Sequence, residues 1–164
     1  MLATVAEDDV IIEHPNRDKP GANATRVLAV VLLLVSAVVL AIATVGGWSK
    51  IQGAKPVQVA YILIYVLLAF YIARWRSGLL PVAASFAIIL LIFCAISGPE
   101  WFSRDKTGFE DPLLDESIVG VLTILLVPLQ ILLIIVAARG FSQKWSVEVE
   151  RRLDGRPAYV AQSR

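Results

Sequence analysis

The sequence predicts an all-α membrane protein: four transmembrane helices in an antiparallel bundle, with a strand-like stretch in the C-terminal tail. Three observations carry that prediction. Four apolar runs, Val27–Val45, Val57–Ala73, Leu79–Ser97 and Ile118–Ala138, contain no Asp, Glu, Lys, Arg or His and supply about half of the 164 residues. At 1.5 Å per residue each run is about long enough for a helix to cross roughly 30 Å of hydrocarbon. The segments outside the runs reach 26 residues at most, too few for a hydrophobic core of their own. The chain therefore reads as one membrane domain, 27–138, with tails 1–26 and 139–164.

The N-terminal tail is polar and carries Pro15, Pro20 and Gly21. It is expected to be disordered apart from the short apolar patch Val10-Ile11-Ile12. Asp8, Asp9, Glu13 and His14 have the right chemistry for a metal but nothing to hold them in a fixed geometry. The first apolar run is expected to be an uncleaved span, because five acidic residues precede it and it exceeds the about 7–15 residues of a signal core. Within it Ala37, Ala41 and Thr44 form a small-residue stripe suited to close helix approach.

Gly46–Pro56 joins the first two spans, and Pro56 suits a first helical turn. The second span places Gln58, Tyr61 and Tyr65 along one face. A tyrosine hydroxyl at that depth needs a hydrogen bond, so this face is expected to look into the bundle or toward a partner. It can meet Gln130, or line a site for a flat hydrophobic ligand such as a quinone; packing is the favoured reading. The link Arg74-Trp75-Arg76-Ser77-Gly78 is short enough to make the second and third spans antiparallel neighbours. Its arginines can reach lipid phosphates. The third span carries Ala83, Ala84 and Ala87 for close packing. Its Cys94 is the chain's one cysteine, which excludes an intrachain disulfide and a zinc cluster.

The loop 98–117 has a net charge of −4. Asp111-Pro112 reads as an N-cap and first turn, with Asp115 and Glu116 near the positive end of the fourth helix. Asp105-Lys106-Thr107-Gly108 matches the start of a P-type ATPase phosphorylation motif, a chance match in a chain without nucleotide or actuator domains. The loop acids lack the spacing of an EF-hand. In the fourth span Gly120, Thr123 and Gln130 share a stripe, and Pro128 frees the carbonyl of Ile124. That carbonyl and Thr123 are the candidate partners of the Gln130 amide. The stripe is read as interhelical glue in preference to a polar path.

Trp48, Trp75, Trp101 and Trp145 each follow the end of a different span and read as interfacial anchors. With both termini inside, the inner segments hold 11 basic residues against 4 outside, which favours cytoplasmic termini. In Lys144-Trp145-Ser146-Val147-Glu148-Val149-Glu150 apolar and polar residues alternate as in a half-buried strand. Three partners suit it: Val10-Ile11-Ile12, another protein by β-augmentation, or the headgroups with Trp145 inserted.

The string Trp101-Phe102-Ser103-Arg104-Asp105-Lys106-Thr107-Gly108-Phe109, the fourth span with Pro128 and Gln130, and the tail from Arg139 to Glu150 resemble small four-span proteins of actinobacteria. Asn is frequent in that group at the position of Ser146. The resemblance covers roughly residues 98–150, and more loosely the three earlier spans, and implies a cytoplasmic membrane, without an activity.

No catalytic constellation, phosphate loop or nucleic-acid module is visible, and no cofactor or metal is implied. The expected surroundings are the lipid bilayer and a protein partner or a second copy within it. The sequence favours an accessory subunit of a larger membrane assembly. The alternative is a small oligomeric channel or carrier for a neutral or hydrophobic solute, lined by Gly120, Thr123 and Gln130.

Overall fold

The computed structural model describes residues 10–13, 15–51, 53–103, 112–145 and 147–152. All four apolar runs are helical: α1 Pro20–Gly46, α2 Lys55–Ala73, α3 Leu80–Glu100 and α4 Glu116–Ser142. Each is long and apolar enough to span a membrane. Their outer faces present Val38, Leu63, Ile92 and Ile135, all more than half exposed, as suits contact with lipid chains.

Helix α1 starts well before its apolar run. Pro20 occupies the first turn, where its missing N–H costs nothing. Thr25 donates to the carbonyl of Gly21 at 2.8 Å, and Ala22 and Thr25 are buried. The expectation of disorder through residue 26 is thus corrected for 20–26, which pack as helix. At 27 residues each, α1 and α4 are about 40 Å long, against about 28 Å for α2. Their extra turns project at the end that carries both chain termini. There the Gln143 amide nitrogen donates to Thr25 Oγ1 at 3.1 Å, joining the two.

The packing order is α2–α1–α4–α3. Helix α1 lies against α2 and α4, and α3 against α4, whereas α2 and α3 scarcely approach each other. The short link does not make them packed neighbours, contrary to the sequence expectation. It sets where α2 ends and α3 begins, at the terminal end, but along their lengths each follows its own partner. Between them Trp75 takes a left-handed φ of 65° and Ser77–Leu79 form a 3-10 turn. Leu33, Tyr65, Ile72, Leu80 and Leu133 fill the core, and Ala29, Ala83 and Ala87 let the backbones come close. A second cluster at the opposite, distal end gathers Ala43, Ile51, Trp101 and Val119.

Helix α4 begins later than the loop pattern suggested. Asp115 is the N-cap, its carboxylate accepting from the Ser117 backbone N–H at 2.9 Å and also from the Ser117 hydroxyl. Asp115 is therefore a cap and not a first-turn residue. Asp111 and the Asp105–Gly108 string lie outside the described residues, as do Asp8, Asp9 and His14.

At the terminal end, β1 Val10–Glu13 pairs antiparallel with β2 Val149–Arg152, Val10 opposite Arg152 and Glu13 opposite Val149. Of the three partners for the tail, the structure shows the one within the chain. The strand covers only the last two residues of the alternating stretch. Lys144 turns with a left-handed φ of 49° and directs Trp145 into the protein instead.

Candidate functional site: a chamber above a buried polar chain

Three side chains meet at mid-depth. The Tyr65 hydroxyl donates to Gln130 Oε1 at 2.7 Å, and Gln130 Nε2 donates to Ser36 Oγ at 3.1 Å. All three residues are fully buried. Ser36 and Tyr65 are the midpoints of their apolar runs, and Gln130 is two residues past the midpoint of its own. Helices that cross the same slab bring their central residues to one level. The chain thus ties α1, α2 and α4 together, and Gln130 is occupied at both ends of its amide.

Other expected partners go elsewhere. Thr123 donates to the carbonyl of Val119 at 2.8 Å, within its own helix. The Ile124 carbonyl freed by Pro128 is not what holds Gln130, and α4 runs unbroken through Pro128. Gly120 serves close approach: a Cβ there would lie 2.9 Å from the Phe102 ring and 3.1 Å from Trp101 Cβ. The stripe Gly120, Thr123, Gln130 is therefore divided among three local roles and does not form a continuous polar line.

Above this buried chain, toward the distal end, lies a cavity of about 410 Å³. That is within the roughly 300–1,000 Å³ typical of small-molecule sites. Its back wall comes from α1 and α4, through Leu40, Ala43, Val119 and Leu126. Its flanks come from the two helices that diverge, α2 through Val57, Gln58 and Tyr61, and α3 through Leu90, Phe93 and Ser97. Tyr61 closes the bottom, edge-on to Tyr65 at 6.0 Å and to Phe86 of α3 at 5.6 Å between ring centroids.

The polar groups of the chamber are few. Lys50 lines it, but its ammonium is paired with Glu116 at 2.6 Å across the mouth, and its side chain is only 8% exposed. Gln58 Oε1 is buried without a hydrogen-bond partner, one of two such side-chain atoms among the described residues, the other being Ser49 Oγ. A buried acceptor left unpaired costs about 1–3 kcal/mol. At the N-cap of α4, hydrogen bonds from the Ser117 hydroxyl and N–H hold the Asp115 carboxyl below its usual range. Among the described residues, no three His, Cys, Asp or Glu side chains cluster as a metal site.

The four tryptophans part company. Trp48 is exposed, with Lys55 Nζ 4.8 Å from its ring centroid. Trp101 is buried in the distal cluster and lines the chamber. Trp145 is fully buried and meets Trp75 edge-on at 5.6 Å, while the Arg26 guanidinium covers Trp75 at 4.1 Å. Trp101 and Trp145 are covered by protein, so their expected anchoring role is corrected to a packing one.

Of the face expected to hold Gln58, Tyr61 and Tyr65, the structure puts Tyr65 in the polar chain and Gln58 and Tyr61 in the chamber lining; sequence reasoning missed Ser36 and the Lys50–Glu116 pair. The mid-run position of Ser36 was the available signal. Comparisons of the chain with family models, curated proteins and solved structures give no match.

Proposed function

We propose that this protein is a non-enzymatic, membrane-embedded binding protein or carrier for a neutral or hydrophobic solute. The chamber carries this reading: a partly open, mostly apolar space with a buried amide oxygen that the protein leaves unpaired. Its polar residues among those described, other than the paired Lys50, carry one amide, three hydroxyls and a thiol, groups suited to holding a molecule. The packed layer of Tyr65, Gln130, Ser36, Leu33 and Leu133 beneath it favours a blind site over a path through one bundle. The excess of basic residues on the terminal side, with the resemblance to four-span actinobacterial proteins, supports a cytoplasmic membrane and inward-facing termini.

The test is native mass measurement of the protein taken gently from its own membrane into nanodiscs. A bound small molecule, lost when Ala43→Leu fills the chamber wall, is expected. A wild-type protein that carries no adduct and moves no neutral solute across liposomes would overturn the reading.

One observation favours a second reading, an accessory subunit. The two-stranded sheet presents backbone edges at the terminal end, on which a partner strand can pair. Deleting residues 149–164 should then release a co-purifying protein; a deletion that retains every partner argues against it.

A further inference from the structure

We infer that the chamber's ligand is an uncharged amphiphile with a hydroxyl or N–H donor, taken from the distal leaflet through the gap between α2 and α3. This deepens the proposed binding role and rests on it. Four features support it together. First, the unpaired acceptor, Gln58 Oε1, calls for a donor on the ligand. Second, the rest of the lining is chiefly apolar, through Leu40, Val57, Leu90, Phe93 and Leu126.

Third, the only charged residue among the described lining, Lys50, is already neutralised by Glu116. An anion would have to break that pair, and among the described residues of the wall a cation would find no free carboxylate. Burying an unpaired charge is costly, so both are disfavoured. Fourth, the chamber lies where α2 and α3 diverge. Val57 and Phe93 each belong to a chamber flank and are more than half exposed on the bundle surface. Apolar surface therefore continues from the lipid-facing side into the cavity. A molecule already dissolved in the leaflet can slide in without leaving an apolar medium, its donor finding Gln58 at the end of the route.

The experiment uses full-length protein in nanodiscs and a set of brominated twelve-carbon probes: the alcohol, its methyl ether, the carboxylate and the amine. Bromine quenches indole fluorescence at short range, and Trp101 lines the chamber. The Trp101→Phe variant supplies the background from the other three tryptophans. The alcohol is expected to quench saturably. Removing the donor or the acceptor, by the methyl ether or by Gln58→Met, should weaken binding about tenfold, the worth of one hydrogen bond.

Gln58→Met also guards against a folding artefact. Because it deletes an unpaired buried acceptor, it should raise thermal stability while it lowers affinity. Equal binding of all four probes, or undiminished alcohol binding by Gln58→Met, overturns this inference and leaves the binding role standing. Absence of saturable quenching by every probe overturns both.

Discussion

The Tyr65 hydroxyl reaches Gln130 Oε1 at 2.7 Å across the bundle, between two helices that do not pack against each other. Each leans on α1, and Ser36 of α1 takes the other end of the Gln130 amide. The bond therefore fixes a diagonal that helix packing alone leaves free. In hydrocarbon an unmade hydrogen bond has no water to turn to, so the two side chains are coupled beyond their contact area.

That coupling is measurable. Tyr65→Phe should destabilise the fold because it strands the Gln130 oxygen. The double variant Tyr65→Phe/Gln130→Leu should cost less than the two single losses summed. A cycle of reversible unfolding in mixed micelles is expected to give an interaction of about 0.6–1.7 kcal/mol. Strict additivity would show that the pair carries no energy of its own.

Gln58 should behave in the opposite sense. Its Oε1 is buried and unpaired, so Gln58→Met removes a desolvated acceptor at almost unchanged volume. An increase in stability of up to about 1 kcal/mol is expected, part of the 1–3 kcal/mol such a group can cost. Loss of stability in the ligand-free protein would mean that the amide already has a partner.

Asp115 supplies a pH dependence. Hydrogen bonds from the Ser117 side chain and backbone lower its pKa in the folded state, so folding favours the ionised form. The resulting stabilisation is complete above the ordinary carboxylate value of about 4 and fades as pH falls through the lowered one. Asp115→Asn keeps a capping oxygen without a charge. The stability difference between wild type and Asp115→Asn should be constant from about pH 5 to 8 and shift only below about pH 4. A difference that titrates near neutrality would place the effect elsewhere.

Trp145 is the fastener of the terminal end. Its indole is fully buried against Trp75 and donates to Gln143 at 2.9 Å, and Arg17 donates to its carbonyl at 3.2 Å. Trp145→Ala should cost about 3–5 kcal/mol if the site does not collapse. Trypsin should then cut after Lys144 far faster than in wild type. Unchanged cleavage would show that the strand pairing alone holds the tail.

The four helices were legible in the sequence because hydrocarbon thickness sets a length that a run of apolar residues either meets or does not. Depth was legible too: Ser36, Tyr65 and Gln130 sit near the middle of their runs. The order of the helices was not. Lipid and bundle core are both apolar, so Leu63 facing lipid and Leu68 facing the core look alike in a periodicity argument. Ser36 was passed over because a serine in a helix can satisfy its hydroxyl on its own backbone, as Thr123 does here, and so does not announce a partner. The tryptophans misled for a related reason. An indole at the end of a span fits a headgroup layer and a protein-covered niche equally well, and only the fold around Trp101 and Trp145 separates the two.

The strand pair also has a consequence for biosynthesis. Val10–Glu13 is made before any helix, and its partner Val149–Arg152 only after all four. At about 5–20 residues per second the first strand waits roughly 7–30 s for the second to be translated. Until then its backbone groups stay open to any passing strand. The pairing cannot form on a chain that stalls short of the fourth span, so the closed sheet marks a chain that has been translated past Arg152.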